Sequence, residues 1–446
     1  MKVSKLVMAA ALAAATIGAG SAQPASALVF SYTAGIQVQN LSAAPASVVI
    51  SFYNADGTTT GNGGISGNIP ASGSATYFPF KDTEVKAGFN GSAVVSSDQQ
   101  VAAVVNVLGS GPANSAASYI GFQQGANTLL VPLLMKANSG FSTWMKAQNT
   151  GSAAANVTVA YSDGTSATAT IAPGAAATFD QSTEAHNAAV FAATITSNQP
   201  LAATIMQEDS KTLFAYNAFP GGSQNPNMPL INANNSGYIT GIQLQNGGSA
   251  PTNVTVTYTP SSAGTACTET QTIGAGQSAT FALNAFATTV AGETCANGAA
   301  FIGSAQVTAN SASQPLVAVV NQLLPGVNGE AYGGFDATAA TATVVLPLVM
   351  DRNNGFYTGF NVVNVGTAAT TVSCTFVGVG GAVSYVVNAS LAAGQGTTAI
   401  QNGQVSDGFV GSGKCTAAAG GKIVGVVNEL GPSSGDFLLV YEGITQ

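Results

Sequence analysis

The chain has 446 residues, of which only 10 are Lys or Arg and 18 are Asp or Glu, so 6% carry formal charge where an ordinary soluble domain carries about 25%. A net charge of −8, a single Arg and a single His exclude a nucleic-acid partner, because binding a phosphate backbone needs clustered Lys and Arg. Hydrophobic residues reach 46% with aromatics at 7%, beside 53 Gly. The apolar content is therefore mostly Ala and Val, in a chain long enough for two to four domains.

Residues 1–27 read as a secretory signal peptide: Lys2 and Lys5, an apolar run from Leu6 to Ile17, then small residues ending at Ala25-Ser26-Ala27. Cleavage fits after Ala27, with Ala22 as the other site. Processing after Ala27 leaves eight basic against 18 acidic residues, a net charge of −10. No later stretch has the 18 or more uninterrupted apolar residues of a membrane span. The expected location is extracellular or at the cell surface.

One phrase then recurs four times: TAGIQVQN ending at Asn40, STWMKAQN at Asn149, ITGIQLQN at Asn246 and YTGFNVVN at Asn364. Behind each comes a run of period-two alternation, at 48–53, 157–161, 254–258 and 372–376, which reads as a half-buried strand. A turn and an apolar-to-aromatic phrase follow, Ile69 to Tyr77, Ile171 to Phe179 and Ile273 to Phe281; the fourth copy has lost its aromatic. Long apolar strands end at Asn106, Asn321 and Asn428, and each repeat closes on a tyrosine: Tyr119, Tyr216, Tyr332 and Tyr441. Between repeats lies a Pro-Leu strand whose Pro, at 132, 229 or 347, stands 17 residues before the marker Asn every time. A flexible linker would not hold that register.

About seven short alternating strands per 100 residues, with turns such as Asp56-Gly57 and Asp163-Gly164, predict an all-β chain of four tandem immunoglobulin-like antiparallel β-sandwich repeats. The boundaries are 28–127, 128–224, 225–342 and 343–446. In this organisation the chain resembles secreted bacterial surface proteins built of tandem immunoglobulin-like domains, the class of adhesin stalks, surface-layer proteins and filament subunits. The resemblance is one of architecture and spans the whole processed chain. It implies a non-enzymatic structural protein, a rod-like component of a surface layer, sheath or filament; the alternative is an adhesin or an array of carbohydrate-binding modules.

The four Cys fall as Cys267/Cys295 in repeat three and Cys374/Cys415 in repeat four, which in an exported chain read as two disulfides. Cys374 and Cys415 align with Val256 and Val307, core-facing positions, so their bridge is expected to pin the core as in antibody domains. Repeats one and two have no Cys. Catalysis finds little to work with. His186 lies in the loop STEAHNAAV and reads as solvated, no nucleophile elbow or P-loop is present, and no acid recurs at an equivalent strand position. No cofactor or metal is expected; the junctions KANSG, NANNSG and DRNNG offer Asn and a single Asp, too few carboxylates for calcium.

Two features suit binding. Trp144 stands where the other repeats carry Gly35, Gly241 and Gly359, and alternation with Met145 turns it away from its own core. It either docks a glycan or partner, or packs on the neighbouring repeat. Gln37, Gln39, Gln148, Gln243 and Gln245 share that outward face, as a solvated ladder or a surface for another chain. Repeat four has no Pro-Leu strand after it. If that strand completes the preceding sandwich, the last repeat has an open edge that the N-terminus of a second copy fills, giving a head-to-tail polymer of the chain with itself or with other surface components; the alternative is that the strand belongs to the repeat that follows it, as the boundaries place it, and the last repeat is complete.

Overall fold

The computed structural model describes residues 4–8, 29–61, 63–81, 84–283, 294–295, 298–309, 314–379, 383–432 and 435–446. Among the described residues the chain is all-β, with 64% of them in strands and no helix. It divides into two compact units, one of 1–220 with 379–381 and 433–437, the other of 221–378, 382–432 and 438–446.

Repeat three shows the pattern of all four. Its strands in chain order are Pro226–Ala233, Ile239–Asn246, Thr252–Ala263, Cys267–Ile273, Ser278–Phe281, Phe301–Ala309, Leu316–Leu324 and Asn328–Gly333, here called first to eighth. One sheet runs fourth, third, sixth, first; the other runs fifth, second, seventh, eighth. Repeats one and four have the same order. In repeat two the sixth and seventh strands fuse into Val190–Glu208, which pairs with Ala155–Tyr161 through its first half and Ser142–Asn149 through its second. Second-to-fifth and third-to-sixth pairing matches the B–E and C–F neighbours of an immunoglobulin sandwich. The first strand departs from that plan, since it lies beside the sixth and leaves the place next to the second to the seventh.

Alternation makes the sandwich. In the third strand of repeat two, Ala155, Val157, Val159 and Tyr161 are buried while Asn156, Thr158 and Ala160 are exposed, and the buried set faces the other sheet. Glycine is required where the sixth strand crosses the third: a Cβ on Gly91 would fall 2.0 Å from Tyr53 O, and one on Gly303 2.1 Å from Thr259 O. The marker Asn is a buried corner. Asn246 donates through Nδ2 to Ala250 O at 2.8 Å and Ile273 O at 3.1 Å and accepts from Gly248 N at 2.9 Å; Asn40, Asn149 and Asn364 repeat the pattern.

The Pro-Leu strand belongs to the repeat that follows it. Ala126–Met135 pairs with Val190–Glu208, and Thr343–Asp351 with Phe409–Ala417. The closing tyrosine locks it from within the same repeat: Tyr216 OH donates to Leu133 O, Tyr332 OH to Leu230 O and Tyr441 OH to Leu348 O. A short tail completes each turn, Phe219 on Leu130, Phe335–Asp336 on Pro226–Asn227 and Ile444–Thr445 on Val344–Val345. Repeat four is thus closed on that side by its own residues, in line with the alternative that gives the Pro-Leu strand to the following repeat; the open edge is absent there, and with it the basis for head-to-tail donation into it. In repeat one the first-strand place is taken by Ser4–Met8, paired antiparallel with Ser92–Ser97, inside the segment expected to be the signal peptide; residues 9–28, with both expected cleavage sites, lie outside the described residues.

The disulfides are Cys267–Cys295 and Cys374–Cys415, spanning 28 and 41 residues. Cys374 and Cys415 lie directly opposite on the third and sixth strands of one sheet. The bridge therefore ties neighbouring strands and does not cross the core between sheets, as the antibody comparison had suggested.

Candidate functional site

In the first unit, the outward face of repeat two packs against repeat one. Trp144 and Met206, on the second strand and the fused strand, join Leu213 and Ala215 in one apolar cluster with Tyr32, Val105, Val107 and Ala117. The second unit repeats the arrangement, with Val426, Leu438 and Val440 joining the core of repeat three. The sequence supplies this surface because those strands carry apolar residues on both faces, as buried strands do.

Trp144 is 2% exposed and packs edge-on against Tyr32, ring centroids 5.7 Å apart. It is a joint residue and offers no open face to a sugar. Around it, Glu208 accepts from Val29 N at 3.1 Å and from Tyr32 OH. Burial raises the Glu208 carboxyl above its ordinary range, against the opposing bonds from Tyr32 and Val29. Desolvation, with Glu208 close by, carries the Tyr32 hydroxyl above its own.

The five glutamines are buried too, which corrects the expectation of a solvated ladder. Gln37 donates to Ser74 Oγ at 2.8 Å and accepts from Thr76 Oγ1. Gln243 does the same with Ser278 at 2.8 Å and Thr280 at 2.6 Å, and Gln148 donates to Gly174 O at 3.1 Å. Gln39 and Gln245 sit beside the marker Asn, with 4% and 0% exposure. Lys146 takes the place of Gln37 and Gln243 in repeat two; its Nζ meets Asn90 Oδ1 from repeat one, and Ser92 Oγ donates to Gly174 O at 2.5 Å alongside.

His186 is not solvated. Its side chain is fully covered, stacked on Phe191 with centroids 4.1 Å apart, and Nδ1 lies 3.1 Å from Asp163 Oδ2 and from Thr165 Oγ1. Burial opposes the charge on Asp163, but bonds from Thr165, Asn187 N and His186 outweigh it and hold the carboxyl down to about 2. Asp351 is employed in the same way: it accepts from Gly403 N at 2.9 Å, Gln404 N at 3.0 Å, Val405 N at 3.1 Å and Arg352 Nε at 2.8 Å, fixing the loop after the fifth strand. These groups, the ones a catalytic site would draw on, are bonded into the loops of their own repeats.

One exposed sheet face carries a regular row of uncharged polar side chains. Across the outer sheet of repeat two, Thr168, Thr158, Thr196 and Thr128 stand side by side on four adjacent strands, all exposed. The same row is Thr270, Thr255 and Thr308 in repeat three and Asn388, Ser373, Thr416 and Thr343 in repeat four. A shallow depression of about 550 Å³ in repeat four is lined by Thr371, Ser373, Asn388, Ser390 and Thr416.

No protein-family model matches the chain, and no curated protein matches it. Among solved structures it is similar to the pilus backbone RrgB from Streptococcus pneumoniae (12% identity, 54% of this chain and 80% of that one, TM-score 0.12). It is similar also to the tetra-tandem repeat in the extending region of a large adhesion protein (12% identity, 92% and 94%, TM-score 0.10), and to the full-length major pilin RrgB (8% identity, 90% and 88%, TM-score 0.13).

Proposed function

We propose that this chain is a non-enzymatic extracellular structural protein, a repeat-built component of a cell-surface layer, sheath or filament that packs against copies of itself. The hydroxyl rows of the outer sheets carry the reading. A charged surface keeps copies apart and must be desolvated when they meet, whereas rows of Thr, Ser and Asn make close contact at low desolvation cost. Their recurrence at one register gives three repeats the same contact surface. The sugar-binding alternative loses its aromatic platform with the burial of Trp144.

Negative-stain electron microscopy and sedimentation over a wide concentration range test the reading. Ordered assemblies are expected at high concentration, and a double variant placing Arg at Thr158 and Thr196 should keep the chain monomeric. Monomers at every concentration, with binding on a glycan array, would transfer the function to the adhesin reading.

A further inference from the structure

The joint of the first unit holds an amine where its counterparts hold amides. The positions equivalent to Lys146 are Gln37, Gln243 and Asn361, and Gln37, Gln243 and Asn361 each bond a Ser or Thr hydroxyl on the fifth strand. Lys146 is 2% exposed, and among the described residues no carboxylate lies within ion-pair distance of it. Its Nζ contacts Asn90 Oδ1 and stands 3.5 Å from Thr178 Oγ1. In the second unit the residue equivalent to Asn90 is Ile302, so only the first unit sets an amine against an amide.

An enclosed, unpaired ammonium is disfavoured by its lost hydration, and burial pushes this one down to about 8. The neutral amine, a nucleophile, is therefore accessible near neutral pH.

We propose that Lys146 and Asn90 condense into an intramolecular amide that crosslinks repeats one and two. The Nζ lone pair attacks Cγ of Asn90 and the new C–N bond forms. A proton passes from the attacking nitrogen to the side-chain nitrogen, with the Thr178 hydroxyl placed to relay it. The original C–N bond then breaks and ammonia leaves. No oxidant or co-reactant is consumed, and the product replaces a buried charge with a neutral amide. The two repeats without Cys gain a covalent tie between them, where the disulfides of the second unit each lie within one repeat.

Tryptic mapping of the full exported chain, reduced and alkylated, is the test. Lys136, Lys146 and Lys211 are the cleavage sites that follow Lys86, so an uncrosslinked chain releases 87–136, 137–146 and 147–211 separately. The crosslinked chain should resist cleavage after Lys146 and yield 87–136 joined to 137–211, lighter by one ammonia than the two peptides together. Lys146→Gln, the residue of repeats one and three, and Asn90→Ala should each restore separate peptides. Free 137–146 from the wild-type chain, or Asn90 recovered unmodified, as aspartate or carrying a glycan, would overturn the proposal.

Discussion

Asn149 Nδ2 donates to Ile171 O at 2.8 Å, tying the end of the second strand of repeat two, Ser142–Asn149, to the end of the fourth, Ser166–Ile171, with which it has no ladder pairing. The same amide donates to Ala153 O at 2.7 Å and accepts from Gly151 N at 2.9 Å, so one buried side chain satisfies three backbone groups at a corner. Asn149→Ala leaves those groups unpaired in a dry site, at about 1–3 kcal/mol for each group that water cannot reach. A loss of about 3 kcal/mol in urea unfolding of the first unit is expected. Asn149→Asp should lose nearly as much, because a carboxylate accepts from Gly151 but donates to neither carbonyl. A fully stable Asp variant would show that the donated bonds contribute nothing.

Trp144 is the only tryptophan, so its fluorescence reports on the joint of the first unit alone. Packed against Tyr32 and shielded from water, it should emit at short wavelength and resist acrylamide, and both properties should vanish when repeats one and two separate. Trp144→Ala should cost about 3–5 kcal/mol by removing a large buried side chain. Emission like that of free tryptophan in the folded chain would place the ring in solvent and contradict the joint.

His186 is the only histidine, and burial depresses its pKa below 6.5 although Asp163 pulls the other way. A group whose folded value is depressed in this sense binds its proton more readily when unfolded. Its neutral form therefore favours the fold at pH 7, and that contribution is lost as pH falls through 6.5 toward the folded value. Melting of the first unit is expected to drop between pH 7 and 5. His186→Gln should flatten this slope, since nothing else in the chain has an ordinary pKa in that window. An unchanged downward slope in the variant would show that His186 does not carry it; the raised carboxyls of Glu184 and Glu208 act in the opposite sense, favouring the fold as pH falls.

Strand alternation, the marker Asn and the fixed 17-residue register made the repeats readable, because each is a local pattern with a local cause. The joint was not readable in the same way. Alternation turns Trp144 and the glutamines away from their own cores, but whether an outward face meets water or a neighbouring repeat depends on packing that a period of two does not encode. The allegiance of the Pro-Leu strand was left between two alternatives for a related reason: the contact that decides it, Tyr216 OH to Leu133 O, spans 83 residues in sequence. His186 misled because its loop is polar, while the Phe191 that covers it belongs to the next strand.

Reduction separates what the disulfides do from what the sandwich does. Loops of 28 and 41 residues correspond to about 3.5–4 kcal/mol each on the chain-entropy model, or roughly 10 °C in the melting of a unit of some 200 residues. Repeats one and two build the same strand order with no Cys, so the order itself does not require the bridges. Reduced protein should keep its strand circular dichroism at 25 °C while the melting of the second unit shifts down. Cys374→Ala paired with Cys415→Val should lose less than reduction of both bridges, because Val stands at the aligned positions 256 and 307 and fills the buried site. If reduction instead abolished strand content, the bridges would be prerequisites for folding in repeats three and four, and the equivalence of the four sandwiches would end at their topology.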